Sequence, residues 1–165
     1  MTPLLHMVCG GVGAGKTTYA RALADEIGGL HVSIDAWMTT LFGPDSPSPP
    51  RWDWVSERVQ RCETQIVTQA LDAARRGVPS VLDLSFLRRD DRRRLADRAA
   101  TAGVGVALHV LDVPAEERWR RVAQRNAEQG DTFSMVIPRP IFDFIETLYE
   151  PPDADERAAW QASRR

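Results

Sequence analysis

Gly10-Gly11-Val12-Gly13-Ala14-Gly15-Lys16-Thr17-Thr18 follows the apolar run Leu4 to Cys9 and leads directly into a helical pattern. Gly10, Gly15, Lys16 and Thr17 meet the spacing G-x-x-x-x-G-K-[ST] of a phosphate-binding loop. Glycines let successive backbone N–H groups turn inward around phosphate oxygens, at a helix N-terminus whose dipole also favours an anion. The expected nucleotide cradle is therefore Gly11, Val12, Gly13, Ala14, Gly15, Lys16, Thr17 and Thr18. Lys16 is placed to reach the β- and γ-phosphates, and the Thr17 hydroxyl to ligate Mg²⁺. Lysine and arginine together number 21, and Lys16 is the only lysine among them. The one compact ammonium group thus sits where the chemistry asks for it.

Outward from the loop, Thr17 to Ile27 has helical spacing and ends at Gly28-Gly29. Leu30 to Ile34 reads as a second strand closing at Asp35. A carboxylate there would lie in the crevice where open α/β sheets bind ligands, as a base for an acceptor hydroxyl. The alternative is an N-cap for a short helix, Ala36 to Leu41. Gly43 to Arg51 carries four prolines and cannot be regular structure. With Trp37, Trp52 and Trp54 around it, the segment reads as a wall over an acceptor pocket or as a pinned surface loop. A long helix follows to about Arg76, with core spacing from Val55 to Ala73.

Pro79 to Leu84 is a third strand, and Asp83 near its end is placed as a second carboxylate for the Mg²⁺ shell. Arg88-Arg89-Asp90-Asp91-Arg92-Arg93-Arg94 opens the next helix; Arg88, Arg89 and Arg92 are candidates to hold an anionic or hydroxylated acceptor, against the reading of a solvated face. Val104 to Val113 is a fourth strand, and Pro114 opens a helix in which Arg118, Arg121 and Arg125 lie on adjacent turns. Arg121 and Arg125 lead into the polar stretch Asn126 to Thr132, the pattern of a lid whose arginines stack on or flank the nucleotide and neutralise charge on the transferring group, against the reading of a surface basic face paired with Glu116, Glu117 and Glu128. Pro138 to Leu148 is a further helix, and Asp153 to Arg165 a charged tail anchored by Trp160.

The length of 165 residues suggests a single domain over 1–165. A net charge of −2 and a pI near 5.9 give no overall basic field, so tight nonspecific nucleic-acid binding is not implied. Cys9 and Cys62 fall in core patterns and suit a reducing compartment. No apolar run approaches a membrane span, and the expectation is a cytoplasmic protein without membrane partners.

The phosphate loop, Ser33-Ile34-Asp35-Ala36-Trp37-Met38, Val81-Leu82-Asp83 with Phe86, Arg125-Asn126 and Tyr149-Glu150-Pro151-Pro152 together resemble the P-loop kinase-like ATP-binding proteins of the AAA_33 type, small kinases related to polynucleotide kinase and chloramphenicol phosphotransferase. The resemblance covers nearly the whole chain. It implies a P-loop NTPase three-layer α/β sandwich around a parallel sheet of four strands, or five, in the order 2-3-1-4. It further implies ATP and Mg²⁺ as cofactors, Asp35 as base, and Arg121 and Arg125 as lid arginines. Polynucleotide kinases carry a basic residue just behind the aspartate, whereas Ala36, Trp37 and Met38 are apolar here; a small hydroxyl acceptor is favoured over nucleic acid. The expected reaction is transfer of a γ-phosphoryl group to an alcohol. A 5′-hydroxyl nucleic-acid or nucleoside kinase and a slowly hydrolysing nucleotide switch are the alternatives.

Overall fold

The computed structural model describes residues 5–49, 51–128 and 136–160. Four strands, β1 (Leu5–Cys9), β2 (Leu30–Ser33), β3 (Ser80–Asp83) and β4 (Val106–Val110), form one parallel sheet in the order β2-β3-β1-β4. Parallel strands covered on both faces read as unbroken apolar runs, which is why β1 and β3 were legible as strands. Among the described residues no fifth strand extends the sheet.

Alternation along β1 divides the core. Leu5, Met7 and Cys9 point to one face, where they meet Cys62 and Ile66 of α3 (Trp52–Ala74) and Leu95 and Ala99 of α4 (Arg89–Thr101). Val8 points to the other, against Ala20 and Ala24 of α1 (Lys16–Ile27). These two clusters make the three layers. Both cysteines are buried and unbridged, as their core spacing implied.

α1 ends as Gly28-Gly29 predicted: Gly28 is left-handed at φ 62° and Gly29 N–H donates to Ala24 O at 2.8 Å. β2 stops earlier than Asp35. Ser33 is the N-cap of α2 (Ile34–Phe42), its hydroxyl accepting from Ala36 N–H at 3.4 Å, so Asp35 lies in the first helical turn and is not the cap. β4 is shorter than the apolar run Val104 to Val113 that announced it.

Beyond β4 come α5 (Ala115–Glu128), α6 (Arg139–Leu148) and α7 (Ala154–Ala159). The C-terminal stretch is more than a charged tail. Glu156 of α7 is buried against Arg92, and Trp160 O accepts from Leu108 N–H at 2.7 Å. The lid stretch Asn126 to Thr132 falls largely on residues 129–135, outside the described residues. None of the described helices is long and apolar enough to cross a membrane.

Candidate functional site

The phosphate loop joins β1 to α1 at the carboxyl end of the sheet. Gly13 and Gly15 have φ of 79° and 89°, the left-handed region in which a side chain is strained. At Gly15 nothing lies near a hypothetical Cβ, so conformation alone requires glycine there. Gly11 and Gly13 have a second reason. A Cβ on Gly11 would fall inside the Arg118 guanidinium, and one on Gly13 would sit 2.5 Å from Arg118 O. α5 is docked against the loop.

Arg118 is the bracket that docks it. Its Nε donates to Val113 O at 2.8 Å, Nη1 to Val12 O at 3.1 Å, and Nη1 and Nη2 clasp Glu146 of α6 at 2.6 and 2.5 Å. Sequence reasoning placed Arg118 among three helical arginines without giving it this role. The available signal was Gly11 and Gly13: the loop pattern leaves both positions free, so glycines there announce a close neighbour.

Lys16 Nζ donates to Gly10 O and Gly11 O at 2.9 and 3.0 Å, folded back on its own loop. Burial lowers its pKa, with Arg118 acting in the same direction, while Asp83, Asp35 and Cys9 oppose the shift. The Thr17 hydroxyl donates to Asp83 Oδ2 at 2.7 Å, and Asp83 is buried at 5 % exposure. A hydroxyl and a hard carboxylate oxygen beside a phosphate cradle fit the donor set of Mg²⁺, which takes one or two protein oxygens and completes its shell with phosphate and water. His31 of β2 stands behind them, Nε2 buried without a hydrogen-bond partner and 3.8 Å from Asp83 Oδ2.

Asp35 comes to the same space from α2. It is exposed, yet its pKa is raised, first by loss of hydration and then by Asp83, with Lys16 and Arg125 pulling the other way. Asp35 therefore stands within electrostatic reach of one carboxylate, one ammonium and one guanidinium. Arg125 lines a cavity of about 250 Å³ with Gly13, Gly15, Arg121 and Gln124. Its Nε and Nη2 are buried with no hydrogen-bond partner. A guanidinium desolvated beside a phosphate loop and left unpaired is matched by the oxygens of an anionic ligand. Arg121 lines the same cavity and is ion-paired with Glu117 one turn back. Just beyond Arg125, the Asn126 side chain pairs twice with the Ile137 backbone, at 2.8 and 3.1 Å, and so fixes the two ends of the segment between them.

The acceptor side differs from expectation. Arg92 has no exposed surface: it forms a two-pronged ion pair with Glu156 at 2.8 and 2.9 Å and donates to Phe86 O and Glu150 O. It is a buried strut and does not reach a ligand. Arg89 pairs with Asp153 at 3.0 Å, while its N–H donates to Glu150 Oε2. Trp37 is half-buried and packs against the main core cluster. In sequence the run Arg88 to Arg94 looked like one basic cluster; the partners that divide it lie some sixty residues away.

Just past Asp83 the backbone is strained. Ser85 has φ 69° and Phe86 N–H donates to Leu84 O at 2.9 Å, a γ-turn of the rarer, positive-φ hand, and Phe86 itself is at φ 48°. Phe86 O is held by Arg92 Nη1 at 3.0 Å and by the Cys9 thiol at 3.5 Å. Strain of this kind persists only where the surroundings over-determine it.

Comparison with solved structures gives the same architecture. A kinase-like protein from Chloroflexus aurantiacus, described as a putative kinase, superposes with a TM-score of 0.73 at 20% identity, covering 93% of this chain and 83% of that one. A sugar kinase from Janibacter sp. HTCC2649 gives 0.60 at 25% identity over 93% and 82%, and a gluconokinase from Sinorhizobium meliloti 1021 gives 0.62 at 19% over 93% and 78%. No curated protein matches the sequence. The profile of the AAA_33 family, an AAA domain, matches residues 5–140, and with its phosphate loop and 2-3-1-4 sheet the chain belongs to that family of P-loop kinase-like proteins.

Proposed function

We propose that the chain is an ATP-dependent phosphotransferase that moves the γ-phosphoryl group of Mg·ATP to the hydroxyl of a small molecule. The observation that carries this is Asp35: an exposed carboxylate on the first turn of α2, within electrostatic reach of Lys16, Asp83 and Arg125, with its pKa raised from the ordinary value. A switch or a transporter has no need of a base on the acceptor side of its phosphate loop.

Asp35 takes the proton as the acceptor O–H bond breaks. The hydroxyl oxygen forms the new bond to the γ-phosphorus, the bridging bond to the β-phosphate breaks in line, and ADP leaves. Lys16 turns from its loop carbonyls to the phosphates, and Arg125 donates to the transferring group. Thr17 and Asp83 would hold Mg²⁺, which would neutralise charge on the phosphates.

The test is transfer of labelled γ-phosphate across a panel of small alcohols, sugars, antibiotics and 5′-hydroxyl oligonucleotides. Lys16→Ala should lose nucleotide binding; Asp35→Ala should keep it and lose transfer, by about 10²-fold or more. An Asp35→Ala chain that transfers phosphate at the wild-type rate would sink this reading.

A further inference from the structure

β2 carries two polar side chains, His31 and Ser33, on one face, and Asp35 follows on the first turn of α2. Ser33 pairs in register with Asp83 and His31 with Val81, so the imidazole and the Asp83 carboxylate project from the same face of neighbouring strands. α1 covers that face: Val81 is buried there against Ala20 and Ala24.

An imidazole that only filled space would be a poor choice at this place. The His31 side chain is 19% exposed, yet its Nε2 is buried and has no hydrogen-bond partner. A buried polar atom left unmatched weakens the fold, and an apolar side chain would fill the same room without that penalty. Nε2 lies 3.8 Å from Asp83 Oδ2. That separation is too long for a hydrogen bond and leaves no room for a bridging water. A shift of about 1 Å closes it to an ordinary N–H···O bond.

Asp83 has room for such a partner. The Thr17 hydroxyl donates to Oδ2 at 2.7 Å, and a carboxylate oxygen accepts two hydrogen bonds. Carboxylates that ligate metals are themselves held by outer hydrogen bonds, which set the direction of the ligating lone pair. Histidine supplies a directed ring N–H without the obligatory positive charge of arginine, which would compete with a cation for the same carboxylate.

We propose that His31 is a positioning residue for the metal carboxylate: its Nε2–H closes on Asp83 Oδ2 and, with the Thr17 hydroxyl, fixes the direction in which Asp83 presents its remaining lone pairs to Mg²⁺. This role rests on the phosphotransferase reading above. β2 thereby serves both sides of the reaction, His31 steadying the cation side and the Ser33 cap setting the helical turn that carries Asp35.

The test measures affinity for a non-hydrolysable ATP analogue, once in EDTA and once with Mn²⁺, whose bound form is followed by electron paramagnetic resonance. His31→Asn and His31→Leu both withdraw the donor, and each should lose about tenfold or more in affinity for the Mn²⁺ complex with the EDTA value unchanged. His31→Gln, whose amide nitrogen reaches the place of Nε2, should keep most of the wild-type Mn²⁺ affinity and the wild-type resonance line shape. Wild-type affinity for the Mn²⁺ complex in His31→Asn and His31→Leu, losses equal in both arms, or a His31→Gln chain as weak as His31→Leu would each overturn the role of His31 and leave the kinase reading standing. A wild-type chain that binds the analogue no better with Mn²⁺ than in EDTA would remove the metal site and the role of His31 with it. One that binds the analogue in neither condition would remove the kinase reading itself.

Discussion

Asp35 works against the stability of the fold that holds it. Its carboxylate sits where hydration is reduced and Asp83 is near, so the folded chain binds a proton there more tightly than the unfolded chain does. The sign follows from linkage: a carboxyl with a raised folded-state pKa makes the chain less stable as pH rises through that pKa, and the penalty is complete above it. Asp35→Asn removes the charge and keeps the shape. It should therefore melt at a higher temperature than the wild type at pH 7, with the gap closing as pH falls into the carboxylate range, while γ-phosphoryl transfer drops by about 10²-fold or more. Thermal melts at several pH values, paired with a transfer assay, check both halves. A variant that is less stable at neutral pH would show that the Lys16 and Arg125 attractions outweigh burial and Asp83.

At the scale of elements, α5 and α6 shape the nucleotide site without supplying most of its groups. Arg118 holds the Val12 carbonyl and is itself held by Glu146, so the pitch of the phosphate loop depends on a helix more than a hundred residues away in sequence. Glu146→Gln removes the charge from this half-buried pair and leaves the guanidinium under-compensated, a cost of about 1–3 kcal/mol. Part of that cost should appear as loosened ATP binding, about tenfold by titration calorimetry, with turnover at saturating ATP changed far less. Unaltered ATP affinity would show that the loop keeps its form without the bracket. The loop itself was legible because its glycines, lysine and threonine follow a strict spacing, and β1 and β3 because buried parallel strands are continuous apolar runs. The exact end of β2 was not: apolar Leu30, Val32 and Ile34 alternate with His31 and Ser33 without a break before Asp35, and only the Ser33 hydroxyl bond to Ala36 N–H decides where the helix begins. Glu146 was invisible for a different reason, since an isolated glutamate on an amphipathic helix carries no local mark of its partner.

Across the whole molecule, the C-terminal stretch is what holds the strained turn behind Asp83. Arg92, wholly buried on α4, binds Phe86 O of that turn, Glu150 O of the chain that follows α6, and Glu156 of α7. Asp153 caps α7 and pairs with Arg89, and Arg157 pairs with Asp112 beyond β4, so the tail is tied to three separate parts of the sheet's carboxyl edge. None of this could be read from the sequence, where Arg92 is one of five arginines in seven residues and Glu156 lies 64 residues further on. Breaking a buried ion pair by removing one partner leaves the other charged and unmatched, at a cost of about 3–5 kcal/mol. Glu156→Ala should accordingly lower the melting temperature by roughly 10 °C or more for a chain of this size. The Arg92 guanidinium also holds the Glu156 carboxyl below its usual range, so this contribution is present above the ordinary glutamate pKa and is lost as pH falls through the depressed value. The difference between wild type and Glu156→Ala should therefore be full at pH 7 and shrink in acid. Replacing both partners, Arg92→Met with Glu156→Leu, should recover part of the melting temperature, because no unpaired charge remains buried. It should not recover phosphate transfer: Phe86 O and Glu150 O lose their bond from Arg92, the turn at Ser85 and Phe86 relaxes with only the Cys9 thiol left on Phe86 O, and Asp83 is no longer held against Thr17. A double variant that regains stability and transfer together would show that the turn keeps its strained form through the Cys9 thiol and the packing of Phe86 alone.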